Sequence, residues 1–193
     1  MTRTAQTMLR QPLFRATMGR LFNRLPRPVK DQHGALDILL SRGRCDIERG
    51  KAWHARLVGW LFKFPPAGRD LPTLVTVIAE RGREIWHRDF GGEGIFTVLE
   101  PARNPIRFLG CAPVIVERFG LVCFDLQLGE AEGGINMTVV GMRAFGLAIP
   151  RWLWPRVRAV ERAEAQRFHF DIDIDLSWGA KLIHYRGWVV PAT

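Results

Sequence analysis

The stretch that decides the fold is residues 73–100, TLVTVIAERGREIWHRDFGGEGIFTVLE. Thr73–Glu80 is dense in β-branched residues, which fit a pleated, half-buried surface. Arg81-Gly82-Arg83 breaks the run, and Glu84–Phe90 alternates apolar and polar positions. Gly91-Gly92-Glu93-Gly94 makes a second break before Ile95–Glu100. Three short runs separated by tight, glycine-bearing turns predict consecutive antiparallel strands. The glycines of the second break lie between strands rather than before a helix, so they make a hairpin turn and not a phosphate cradle.

Working toward the C-terminus, the pattern continues. Residues 101–113 read as a loop containing Pro and Gly, then Val114–Phe119 and Leu121–Leu128 pair around Gly120. Ala131–Gly134 is a turn and Ile135–Phe145 a long strand. Pro150–Pro155 is a bounded connection, followed by strands at Val157–Glu164, Arg167–Leu176 and Leu182–Val189. No βαβ alternation occurs, which excludes a doubly wound nucleotide fold. The expectation is a mainly β (α+β) chain. Its curled antiparallel sheet or partly open barrel has about nine or ten strands, with N-terminal helices that either cover a face or plug a mouth.

Toward the N-terminus, Arg44–Arg49 predicts a first short strand. Trp53, Leu57, Trp60, Leu61 and Phe64 fall on one helical stripe, stopped by Pro65-Pro66. Phe14, Met18, Leu21, Phe22 and Leu25 make a similar stripe, which predicts one amphipathic helix ended by Pro26-Arg27-Pro28. Residues 1–30 hold seven bases (Arg3, Arg10, Arg15, Arg20, Arg24, Arg27 and Lys30) and no acid, so they supply most of the net charge of +9. We therefore divide the 193 residues into a basic helical segment, 1–30, docked on or part of a single β-rich domain, 31–193. The stripe is too apolar to stay in water. It should pack on the protein and turn Arg15, Arg20 and Arg24 outward, toward an anionic membrane surface or an acidic partner.

Composition narrows the function classes. No apolar run reaches the ~20 residues of a membrane-spanning helix, and no signal-peptide pattern opens the chain. The expected location is cytoplasmic, with or without peripheral membrane contact. Cys45, Cys111 and Cys123 are far apart and odd in number, which argues against a disulfide framework or a zinc site. There is no P-loop, GxGxxG, GxSxG or HExxH, so no cofactor or metal is expected. His169, Asp171, Asp173 and Asp175 form a linear acidic face on one strand, a solvated outer surface rather than a converging metal site. Nucleic acid is disfavoured as a partner, since no strand face interleaves basic and aromatic positions.

The candidate site follows from alternation. Trp86, Arg88 and Phe90 share one strand face, with His87 and Asp89 on the other. An arginine between two aromatics points into the sheet interior, paired with Glu117 or Glu161. A buried Arg88–Glu117 pair serves equally as a ligand clamp, a general base or a structural ion pair. Phe62, Phe64 and Trp188, together with Trp53, Trp60, Trp152 and Trp154, are the further candidates to line a cavity.

The stretches Ile85-Trp86-His87-Arg88-Asp89-Phe90-Gly91, Val116-Glu117-Arg118-Phe119-Gly120, Phe145-Gly146-Leu147-Ala148-Ile149-Pro150 and His184-Tyr185-Arg186-Gly187-Trp188 occur in that order. With them the chain resembles the bacterial domain-of-unknown-function 4166 family over roughly residues 10–190. The resemblance implies no established activity and no catalytic residues. Members of that family are often fused behind a saccharopine-dehydrogenase-like, nicotinamide-nucleotide-binding domain, so the resemblance implies that any such cofactor arrives on a separate protein. Three readings follow: a module binding an apolar or amphipathic small molecule in a pocket of at least ~300 Å³; an enzyme or reductase-partner domain using Arg88 and Glu117; and a membrane-surface domain.

Overall fold

The computed structural model describes residues 11–102, 113–131 and 133–192. Arg3, Arg10, Cys111 and most of the 101–113 loop lie outside the described residues.

Three short helices precede the sheet: α1 (Leu13–Met18), α2 (Arg20–Arg24) and α3 (Arg27–Gln32). The single amphipathic helix expected here is thus divided. Gly19 adopts φ +57°, a left-handed conformation that ends α1. Pro26 and Pro28 do not stop the chain's helical course. They open α3, because the first turn of a helix leaves its N–H groups without intrahelical partners and tolerates proline there. The apolar stripe survives the breaks. Phe14, Met18, Phe22 and Leu25 are buried, and Leu21 is half-buried.

Eleven strands follow among the described residues. They are β1 (Ile38–Arg49), β2 (Gly68–Glu80), β3 (Arg83–Phe90), β4 (Glu93–Pro101), β5 (Val114–Phe119) and β6 (Val122–Ala131). The second half comprises β7 (Gly134–Ala144), β8 (Leu147–Ala148), β9 (Arg156–Glu164), β10 (Arg167–Asp175) and β11 (Lys181–Pro191). The order β6-β5-β4-β3-β2-β1-β11-β10-β9-β7, with β7 also paired to β6, closes ten antiparallel strands into a barrel; β8 lies outside it on β7. Closure removes the open edges that a curled sheet would leave to water. β1 begins six residues earlier than the short strand read from the sequence, and β2 five residues earlier.

Local chemistry supports the curvature. Register shifts at Cys45/Ile47, Asp125/Leu126 and Ile174/Asp175 are bulges that bend their strands. At the β1–β11 seam the backbones approach closely: a Cβ on Gly43 would stand 1.7 Å from the Trp188 carbonyl oxygen. Two-residue turns join β2 to β3, β3 to β4 and β9 to β10, each with positive φ at both central residues. That is the twist-matched hairpin geometry.

Antiparallel order assigns each connection to one end of the barrel. The β2–β3, β6–β7 and β9–β10 turns share one end with α1–α3, where Pro26 abuts Gly133. At the other end lie the β1–β2 connection, which carries α4 (Trp53–Leu61), and the β3–β4 and β5–β6 turns. The segment from β7 through β8 and a 3₁₀ turn at Arg151–Leu153, and the β10–β11 loop, complete that end. The stripe on α4 forms a helix as expected, but it faces the wrong way for a core. Ala55 and Gly59 are its buried residues, while Trp53 and Trp60 are about three-quarters exposed. Gly59 is the reason: the Arg49 guanidinium fills the space its side chain would take. Arg49 also donates from Nη1 to the Phe64 and Pro65 carbonyls at 2.8 Å, locking the helix to β1 by its small-residue face.

Candidate functional site: the barrel lumen

The inward faces of the strands enclose a cavity of about 250 Å³. It extends from Phe14, Gln32 and His33 at the helix-plugged end to Phe62, Leu153 and Trp178 at the other. Its wall is mostly apolar, with Val75, Ile95, Leu126, Val139, Phe170 and Ile172 among the lining residues. The volume is below the ~300 Å³ expected for a drug-sized pocket. Spread along the barrel axis, it makes a narrow lumen rather than a round chamber.

Of the sequence candidates, Trp86, Arg88, Phe90 and Glu117 all line this cavity. Arg88 Nη2 stands 3.6 Å from Glu117 Oε1, Nη1 donates to Thr97 Oγ1 at 2.8 Å, and the guanidinium lies over the Trp86 ring at 4.8 Å. Side-chain exposures of 18 % and 24 % make this a partly buried pair, open to the lumen, not a sealed one. Phe62 and Phe64 also line the cavity, packed at a tilt against Phe119 near its mouth.

Trp188 is not among the lining residues. It points outward, with the Arg167 guanidinium stacked over it at 4.0 Å. On β11 the inward positions are Tyr185, Gly187 and Val189, and alternation carries Trp188 to the opposite face. Trp53, Trp60, Trp152 and Trp154 likewise leave the lumen unlined. Arg15, Arg20 and Arg24 are exposed as expected, at the plugged end; Arg24 reaches Glu130 at 3.6 Å.

The inner end of the lumen holds polar groups that sequence reading missed. His33 Nε2 and Glu161 Oε2 share a hydrogen bond at 2.7 Å, with both residues buried. The imidazole is held by Phe14 at 3.9 Å between ring centres and by Trp86 and Phe168. Beside it Gln32 accepts from Ser41 Oγ at 2.8 Å. Two atoms here are buried without a hydrogen-bond partner: His33 Nδ1 and Gln32 Nε2. Glu84 accepts from Trp86 Nε1 at 2.9 Å and from the Leu13 backbone N–H at 3.3 Å, which ties α1 to β3. Burial pushes the Glu84 carboxyl above its ordinary range, against the opposing pull of His33 and of these hydrogen bonds. Alternation back from Trp86 and Arg88 reaches Glu84, so the sequence did carry a signal for it. Nothing in the residues around Gln32 and His33 signalled a lumen position, because a six-residue helix is too short to show an apolar stripe.

Outside the barrel the Asp171–Asp175 row pairs with bases on both neighbouring strands. Asp171 accepts from Arg158 at 2.9 Å and His184 at 2.8 Å, and Lys181 bridges Asp173 and Asp175. Burial raises the Asp171 carboxyl, but the hydrogen bonds from His184 and Arg158 outweigh it and hold the group below its ordinary value. Among the described residues no cluster of His, Cys, Asp or Glu is arranged to hold a metal ion.

Fold and lumen together define a closed antiparallel β-barrel, plugged by helices at one end and narrow and apolar inside. The chain belongs to the DUF4166 family, a domain of unknown function, whose model matches residues 25–189. No curated protein and no solved structure matches it. Among the described residues no helix is long and apolar enough to cross a membrane.

Proposed function

We propose that the lumen binds a slender amphipathic molecule, an apolar chain ending in a neutral hydrogen-bonding group. The observation that carries this reading is the apolar cavity ending on two buried, unpartnered polar atoms, Gln32 Nε2 and His33 Nδ1. An unmet buried polar group costs about 1–3 kcal/mol, which a ligand can return on binding. Gln32 Nε2 donates, and His33 Nδ1 accepts in a neutral imidazole or donates in a protonated one, so a hydroxyl, which can do either, suits the pair. The carboxyls of Glu161 and Glu84 near His33 disfavour an anion there. Arg88, neutralised by Glu117, contributes hydrogen bonds along the wall and no net charge.

The test is a thermal-shift and calorimetric series of primary alcohols against carboxylic acids of the same chain length. The expected result is that alcohols raise the thermal midpoint more than the acids, and that Gln32→Leu removes this preference. No shift with any member of either series, together with no apolar molecule in solvent extracts of the purified protein, overturns the reading.

A second reading rests on the His33–Glu161 pair. A carboxylate orienting an imidazole whose other nitrogen faces a pocket is the arrangement of a general base. In this reading the chain is an enzyme or a reductase-partner domain, with any hydride supplied by a separate nicotinamide-nucleotide-binding protein. Proton exchange into a lumen-bound ketone from deuterated water, lost in His33→Gln, is the expected sign. Equal exchange in the wild type and the variant refutes it.

A further inference from the structure

Among the described residues fourteen large hydrophobic side chains are exposed, and ten of them sit at the open end of the barrel. Scattered exposure would need no explanation, whereas concentration at one end of the molecule does. They come from four separate segments: α4, the β5–β6 turn, the β7–β9 connection and the β10–β11 loop. Contacts join these segments. The Phe145 N–H donates to the Leu121 carbonyl at 3.0 Å, His54 of α4 lies edge-on to Trp178 at 5.4 Å, and Phe62 meets Phe119 at 5.5 Å.

Two features show that folding stability alone does not account for this surface. Phe145 is 76 % exposed and stands at the tip of a tight turn with φ +52°. A bulky residue in that region is a strained outlier, and here it also presents its ring to water. Trp60 is 75 % exposed on a helix anchored through Ala55 and Gly59, and Trp152 is 74 % exposed on a 3₁₀ turn with no buried residue.

Charge selects the occupant. The same segments carry exposed Lys51, Arg56, Lys63 and Arg151, and exposed Arg156 opens β9 beside them. No acid occurs from Gly50 to Arg69 or from Gly133 to Val160. The acids at this end, Glu48, Asp70, Asp89, Glu93 and Asp175 among them, lie on strands β1, β2, β3, β4 and β10 and not on these connecting segments, and Asp175 is paired with Lys181. Exposed tryptophan and phenylalanine interleaved with bases match the polar–apolar boundary of an anionic bilayer, where aromatic rings sit at headgroup depth. We infer that the open end of the barrel docks on an anionic membrane, with Trp60, Phe145 and Trp152 inserted and the lysines and arginines on lipid phosphates. The lumen then opens directly onto the lipid. Arg15, Arg20 and Arg24, at the opposite end, face away from the bilayer; the apolar side of their helices is already buried in the barrel.

Flotation with phosphatidylcholine vesicles, with and without phosphatidylglycerol, tests this on the full chain. Binding is expected only with the anionic lipid, with tryptophan emission quenched by brominated acyl chains. Trp60→Ser/Trp152→Ser should weaken binding by about tenfold or more. Phe145→Asn is the sharper variant, because asparagine accepts the left-handed turn. It should raise the thermal midpoint while lowering vesicle affinity, a trade that a structural role for Phe145 would not produce. The alcohol series of the preceding section, run on the same variants without lipid, should be unchanged, so failure of docking and failure of lumen binding are read separately. Absence of anionic-vesicle binding, binding that survives all three substitutions, or a dimer that the substitutions dissociate overturns the inference.

Discussion

Arg88 was legible as an inward residue because its neighbours two positions away on each side, Trp86 and Phe90, are large aromatics. The cost of removing it was not legible, since that depends on solvent in the lumen. A sealed pair that loses one partner costs about 3–5 kcal/mol and an exposed pair less than about 1. With partial exposure on both sides, Arg88→Ala should cost about 1–2 kcal/mol, measured as the shift in urea midpoint at constant slope. Glu84 behaves differently. Its folded-state carboxyl titrates above its unfolded value because of burial, so the native state holds the proton more tightly. The sign follows: stability from this group is full below the ordinary carboxylate range and falls as pH rises from there through the folded value. Glu84→Gln cannot titrate. Its stability should therefore decline less than that of the wild type between mildly acidic and neutral pH in parallel denaturation curves. Cys45 shows a third outcome of burial: its thiol is pushed up to about 12, so it should resist thiol reagents until the barrel unfolds.

Elements were read well where period and turn chemistry agreed and poorly where a glycine or proline had two meanings. The β2–β3–β4 hairpins followed from Arg81-Gly82 and Gly91-Gly92, which supply the positive φ their turns need. Gly19 and the Pro26/Pro28 pair were harder. The 3.6-residue stripe runs through Gly19 without interruption, and proline both ends helices and opens them. The α4 stripe was detected and its direction inverted, because periodicity shows that one face is apolar and not what covers it. The β9–β10 turn is an exception to good turn chemistry: Ala165 and Gln166 take φ +47° and +62° without being glycine or asparagine. Replacing them by Asn-Gly should stabilise the protein by roughly 1 kcal/mol, visible as a higher thermal midpoint with no change in lumen binding.

At the scale of the whole molecule, strand number and antiparallel order could be read from turn spacing, and closure could not. Whether ten strands curl or close depends on β1 meeting β11 and β6 meeting β7, long-range pairings that leave no local pattern. The seam between the first and last strands has a kinetic consequence. Residues 41–49 pair with residues 183–191, so the ring cannot be completed until β11 has left the ribosome. Until then β1 has an unpaired backbone edge, available to neighbouring chains. Folding should be slow for a chain of this size, since most of its stabilising contacts reward only late loop closures. Nascent chains halted before Lys181 should remain protease-sensitive and bound to chaperones, while release of the final strand should convert them in one step to a resistant form.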